Sequence, residues 1–387
     1  MAFDFVTPVE RRSPEGGYAS QKWHRYDANV LPLWVADMDF CSPPAVIEAL
    51  RARVEHGVYG YGEVPDTLTE ALCQWSAHHY DWSIQPDWQQ WLPGVVPALH
   101  FAAMALTKPG DGVLTIAPIY PPFLAVAERT GRLAQQAMLA EPASPGEPWQ
   151  LDIDALEAAI TPQTRLLLWC HPHNPTGRVW SDQELTKLAA VVERHDLWVV
   201  SDELHCDLLL DEGAQHRPLA AMIPALAKRT ITLWAPSKTF NLAGLTSACA
   251  IIPDAALRKR FAEATKGFLP DGNVLGLVAA EAAYREGEPW RQALLAVLRD
   301  HRATLQARVA LWPGVTMSEP ESTYLAWLDM REAGLGDSPA KALLERAGVA
   351  LSDGAAFGCP GFVRLNFGTT ASQLEAALAR MDELLKA

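Results

Sequence analysis

The sequence predicts an α/β protein built on a mostly parallel sheet, with a smaller α+β unit beside it. Three observations lead there. Short apolar, largely β-branched runs recur between polar or turn-forming flanks, an amphipathic segment with a helix-start signal separates two of them, and 387 residues exceed the size at which one hydrophobic core stops growing. The runs occupy residues 113–117 (VLTIA), 166–170 (LLLWC), 197–200 (LWVV), 230–234 (TITLW) and 248–252 (ACAII), and each reads as a buried central strand. Between the second and third lies SDQELTKLAAVVERH. Ser181 and Glu184 there form a capping box, and Leu185, Leu188, Ala189 and Val192 recur on one helical face. A strand, helix, strand unit of this kind implies parallel strands covered on both faces. Residues 43–286 are read as this larger domain. Residues 1–42 and 287–387 are read as the smaller one with an N-terminal arm, since an amphipathic run (290–311), a strand-like TYLAWLDM and a closing helix from Ser372 follow a different spacing.

Composition narrows the function classes. Apolar residues at 49% and charged residues at 20% describe an ordinary globular chain without a long disordered tail. The 32 basic and 46 acidic residues give a net charge of -14 with no basic block, so nucleic acid and anionic membranes are repelled and a small-molecule partner is expected. MAFDFVTPVERR has no charged stretch followed by an apolar one, and no run of about 18 apolar residues occurs, so a cytoplasmic location is expected. The six cysteines form no CxxC pair, which argues against a disulfide framework or a zinc ribbon. His171, His173, His205 and Asp207 lack HxxxH or HExxH spacing, so no metal is expected. The 14 tryptophans are read as packing.

Ligands of open α/β sheets bind outside the carboxyl ends of the strands, and the polar motifs of this chain fall there. HPHNPTG with Asn174 follows LLLWC, SDELH with Asp202 and His205 follows LWVV, and APSKTFNLAG with Lys238 follows TITLW. An amide, a carboxylate and an amine thus converge from three strand ends. Taken singly they have plainer readings: a turn residue, a helix cap and a solvated lysine.

Together with Arg364 in GFVRLNFG, these motifs resemble the fold-type I pyridoxal-phosphate enzymes of the class I/II aminotransferase group, and within it the cystathionine β-lyase (C–S lyase) branch of the MalY/PatB type. The carrying stretches are LPLWVADMDF, YGYG, LPGVVPAL, PIYPPF, HPHNPTGRVW, SDELHCDL, APSKTFNLAG, ESTYLAWLDM and GFVRLNFG, which span nearly the whole chain. The resemblance implies an aminotransferase-like large domain with a mostly parallel seven-stranded sheet, a pyridoxal 5'-phosphate cofactor and an amino-acid substrate. It implies that Lys238 forms an imine with the cofactor and then acts as the base. Asp202 would face the pyridine nitrogen, Asn174 the phenolic oxygen and the substrate, and Tyr120 the ring face. Gly94, Val95 and Val96, just before a helical run from Pro97, would offer amides to the phosphate, with Ser237 and His205 nearby. Tyr61 would reach in from a second subunit, which implies a homodimer.

Arg364 would hold the substrate carboxylate through two parallel donors, with the Ala36 backbone beside it. His205 would support Asp202. Two positions depart from the wider pattern: Ala235 stands where a phosphate-binding Ser is common and Thr246 where aspartate-type aminotransferases carry Arg. The branch implies β-elimination from cystathionine or other S-substituted cysteines to a thiol, pyruvate and ammonia. An aminotransferase, or a non-catalytic ligand sensor on the same fold, are the alternatives.

Overall fold

A computed structural model describes residues 3–12, 18–270 and 272–386; residues 1–2, 13–17, 271 and 387 lie outside the described residues. Seven strands form the main sheet: β1 (Gln89–Leu92), β2 (Gly112–Ala117), β3 (Leu133–Met138), β4 (Thr164–Cys170), β5 (Trp198–Asp202), β6 (Thr230–Trp234) and β7 (Ala248–Ile251). Their spatial order is β1-β7-β6-β5-β4-β2-β3. Strands β2 to β6 pair in parallel, as expected, whereas β7 runs antiparallel to β6 and to β1. The edge strands β1 and β3 had no apolar signature to announce them. Sequence QQWL and LAQQAM are only partly buried, so no continuous hydrophobic run was required there.

Alternation along the strands fills a core on each face. On β4, Leu166 and Leu168 join one cluster with the helices Val95–Leu106, Pro121–Arg129 and Ala255–Thr265, while Leu167 and Trp169 join the other with the helix Asp182–Arg194. That last helix begins as the capping box requires, since the Ser181 hydroxyl accepts from the Glu184 N–H and the Glu184 carboxylate accepts from the Ser181 N–H. Substituting such a cap costs about 1 kcal/mol.

Beyond the helix Glu288–Val309 lies a four-stranded antiparallel sheet of β8 (Thr316–Met317), β9 (Leu325–Asp329), β10 (Ser352–Asp353) and β11 (Phe362–Asn366), ordered β10-β11-β9-β8 and covered by the helix Ala371–Leu385. A short parallel pair, Leu31–Pro32 with Val349–Ala350, ties the N-terminal stretch to this sheet. The stretch is further pinned where two acids meet three donors. Lys22, wholly buried, reaches Asp39 at 2.7 Å, Arg11 bridges Asp37 and Asp39, and the Trp23 indole donates to Asp39. Buried charges persist only when paired in this way.

Candidate active site

A cavity of about 420 Å³ opens at the carboxyl ends of β2, β4, β5 and β6, at the point where the strand order reverses between β2 and β4. Lys238, Asp202, Asn174, Tyr120, His205, Arg364, Ala36, Val95 and Val96 all line it. Seven segments of chain distant in sequence therefore supply one site.

Lys238 follows β6 and keeps some surface toward the cavity although protein surrounds it. Its Nζ donates to the Ala36 carbonyl at 2.6 Å. Burial, reinforced by the Arg364 cation and opposed by Asp37 and Asp202, brings its amine down to about 8. Asp202 ends β5 at 6% exposure, and burial lifts its carboxyl to about 7 against the pull of the Leu204 N–H, which donates to Oδ1 at 3.1 Å. Oδ2 accepts no hydrogen bond among the described residues.

Arg364 lies on β11 and is buried. Its Nη1 donates to Asn174 Oδ1 at 2.9 Å, its Nη2 donates to the Trp34 carbonyl at 3.1 Å and to Ser352 Oγ at 3.4 Å, and its guanidinium packs 4.8 Å from the Phe357 ring centroid. Nε is buried without a partner among the described residues. Burial lowers the guanidinium to about 10, which still leaves it charged near neutral pH. Because Arg364 occupies Asn174 Oδ1, the amide nitrogen of Asn174 is the free donor. His205 is held neutral, pushed to about 3 by burial and then by Lys238 and Arg364. Tyr120, at the start of the helix Pro121–Arg129, is half-buried, and burial raises its hydroxyl.

The helix Val95–Leu106 points its first turn into the cavity, with Gly94 at its N-cap and no side chain capping it. Its leading amides are thus open to an anion.

With this geometry in hand, comparison with known proteins is decisive, because the model of the family described as aminotransferase class I and II matches residues 28–381. The chain belongs to this family. It is 36% identical to cystathionine beta-lyase PatB of Bacillus subtilis (strain 168), covering 97% of this chain and 99% of that one. Among solved structures it is similar to OvoB, with TM-score 0.94, 41% identity and 99% of each chain covered. It is also similar to cystalysin from Treponema denticola, whose crystal structure contains a pyridoxal 5'-phosphate cofactor, with TM-score 0.93, 32% identity, and 100% and 99% covered.

Within this class I and II aminotransferase fold, several expectations need correction. The helical run begins at Val95 rather than Pro97, so Val95 and Val96 belong to its first turn. Gly94 caps that helix without lining the cavity, and Ser237, Ala235 and Thr246 do not line it either. The Ser237 carbonyl instead accepts from the Leu242 N–H and closes the turn after the lysine. His205 makes no hydrogen bond to Asp202 among the described residues; it borders the cavity with Nδ1 unpartnered. His171 and His173 turn to Arg217 and Thr176. Tyr61, expected to serve a second subunit rather than its own, calls for no correction: it is 98% exposed and lies outside its own chain's cavity.

Other residues were not singled out from the sequence. Trp34 and Ser352 orient Arg364, and Arg25, Tyr26 and Phe357 line the cavity. Trp34 stood inside the LPLWVADMDF stretch, but nothing local marked its carbonyl as the acceptor. Two asparagines secure that stretch. Asn241 donates to the Met38 and Phe40 carbonyls and accepts from the Met38 N–H, and Asn366 on β11 donates to the Val35 and Asp37 carbonyls. Ala36 is thereby held between the two sheets.

Proposed function

We propose that the protein is a pyridoxal 5'-phosphate-dependent carbon–sulfur β-lyase that converts cystathionine or other S-substituted L-cysteines to a thiol, pyruvate and ammonia. The observation that carries this reading is the convergence of Lys238, Asp202, Asn174 and Arg364 on one cavity in a chain related end to end to a cystathionine β-lyase.

The residues suit the cofactor by their chemistry. A carboxylate whose Oδ2 has no partner among the described residues suits a cationic ring nitrogen, and pairing with it would draw Asp202 back below about 7. The uncapped helix start at Val95 and Val96 suits a phosphate. The free amide of Asn174 suits the phenolic oxygen, and the Tyr120 ring suits the ring face. Lys238 suits the aldehyde carbon. When bound, the cofactor supplies a sink for the electrons left at the substrate Cα when its proton departs.

The chain's own contributions follow. Arg364, fixed by Asn174, Trp34 and Ser352, grips the substrate α-carboxylate and so fixes which Cα bond faces Lys238. An amine at about 8 is partly neutral at physiological pH, so Lys238 Nζ can accept the Cα proton. Release of that proton sets up departure of a thiolate from Cβ. The Ala36 carbonyl gives the displaced ammonium a hydrogen-bond acceptor. A neutral His205 adds no charge of its own beside Lys238 and Arg364.

The protein acts as a homodimer in this reading, with Tyr61 completing the partner's site. The exposed Val54, Val58, Tyr59 and Tyr61 supply an apolar surface for that contact. A cytoplasmic place of action belongs to the same reading; separately, no described helix is long and apolar enough to cross a membrane.

The test is incubation of the cofactor-loaded protein with L-cystathionine alone. Pyruvate and free thiol without any added keto acid are expected. Turnover that requires a keto acid would assign the protein to the aminotransferases instead.

A further inference from the structure

The cavity contains a second guanidinium that the proposed chemistry does not use. Arg25, just after the short helix Gln21–His24, lines the same cavity as Lys238 and Arg364. Its Cζ lies over the Trp34 ring, 4.6 Å from the centroid, and 5.9 Å from that of Tyr26, while Tyr26 and Trp34 meet edge-on at 6.3 Å. Stacking engages the flat face of a guanidinium and leaves its in-plane N–H donors free for a carboxylate. Among the described residues Arg25 makes no ion pair and no hydrogen bond. The acid that shares the cavity mouth, Asp353, is already committed. Its Oδ1 accepts from the Ala355 N–H at 2.9 Å and its Oδ2 from the Ser338 hydroxyl at 3.0 Å.

Trp34 ties this cation to the reaction centre. Its carbonyl accepts from Arg364 Nη2 and its indole carries Arg25. One residue thus stands between two guanidinium groups, one deep and one at the entrance, in a protein whose net charge is -14. With the α-carboxylate on Arg364 and the Cα–H facing Lys238, the sulfur substituent on Cβ is left to extend toward the cavity wall that Arg25 supplies.

We propose that Arg25 forms a distal subsite for a carboxylate at the far end of the sulfur substituent, so that the preferred substrates are S-substituted cysteines with an anionic tail. This rests on the β-lyase reading of the cavity. Arg25 is exposed, so the ion pair is worth less than a buried one, and a preference of about two- to fivefold is the expected size.

The experiment compares the loaded wild-type enzyme with Arg25→Gln and Arg25→Lys. Two thioethers of similar length, S-(2-carboxyethyl)-L-cysteine and S-propyl-L-cysteine, are followed by pyruvate release. Two analogues without a leaving group, L-2-aminoadipate and L-norleucine, are followed by calorimetric binding. In Arg25→Gln the ratio of kcat/KM for the anionic over the neutral thioether should fall about three- to fivefold, mainly through KM, and the ratio of the two analogue affinities should fall with it. Arg25→Lys should retain part of both preferences. Ratios within twofold of wild type in Arg25→Gln overturn the subsite while leaving the lyase reading intact. If neither thioether yields pyruvate, the lyase reading fails, and the analogue affinity ratio alone decides for or against the subsite.

Discussion

Replacing Arg364 with lysine separates the charge of the carboxylate clamp from its shape. The wild-type guanidinium is held by Asn174 Oδ1 at 2.9 Å and the Trp34 carbonyl at 3.1 Å, and it stacks on Phe357. It can present two parallel donors to a carboxylate, each charge-assisted bond contributing about 1.5–3 kcal/mol. An ammonium keeps the charge and roughly one of those bonds. Arg364→Lys should therefore lower kcat/KM about 10- to 150-fold. Because the substrate carboxylate is bound equally before and during the reaction, most of the loss should fall on KM. The assay is coupled pyruvate release from an S-substituted cysteine at constant pH and salt. Arg364→Leu goes further, since it also removes a cation that lowers the Lys238 amine, so the Lys238 midpoint should move above about 8. A KM for Arg364→Lys within twofold of wild type would refute the clamp.

Cofactor uptake by the apo-protein needs the neutral amine of Lys238. A lowered amine pKa enlarges the neutral fraction at a given pH, so uptake followed by visible absorbance should rise with pH through about 8 and level off above it; a midpoint near that of a free lysine would contradict the burial argument. Co-expressed Lys238→Ala and Tyr61→Ala chains, each nearly inactive alone, should regain up to about a quarter of wild-type activity, because each mixed dimer has one intact site. No gain over the parents would rule out sharing. Glu203 is fully buried and accepts from Ser201 Oγ, the Leu219 N–H, His216 Nε2 and the Trp234 indole. Glu203→Gln turns a donor toward donors, so the urea midpoint should fall by an amount equivalent to about 3–5 kcal/mol.

Several features were legible locally. The strand at 230–234 is entirely buried and rich in β-branched residues, and Ser181 with Glu184 closes its capping box within one turn. Asp202 ends such a strand, and Asn174 and Lys238 come within a few residues after one, so the parallel sheet carries them to the same edge without any further information. Ser237 was read from its adjacency to the lysine, which does not fix a side chain's direction; what the fold adds there is a turn closed by the Ser237 carbonyl, which accepts from the Leu242 N–H. The edge strands β1 and β3 stayed hidden because they are only partly buried.

The sequence by itself determined the buried strands, the helix that joins two of them and the chemical types gathered at their ends, because those follow from periodicity and nearest neighbours. Tertiary structure alone decided the antiparallel setting of β7, the clamp of Trp34, Ser352 and Asn174 on Arg364, and the placing of Arg25 over Trp34 at the cavity entrance. Those contacts join residues far apart in the chain, and no local pattern encodes a partner that only the closed fold brings within hydrogen-bond reach.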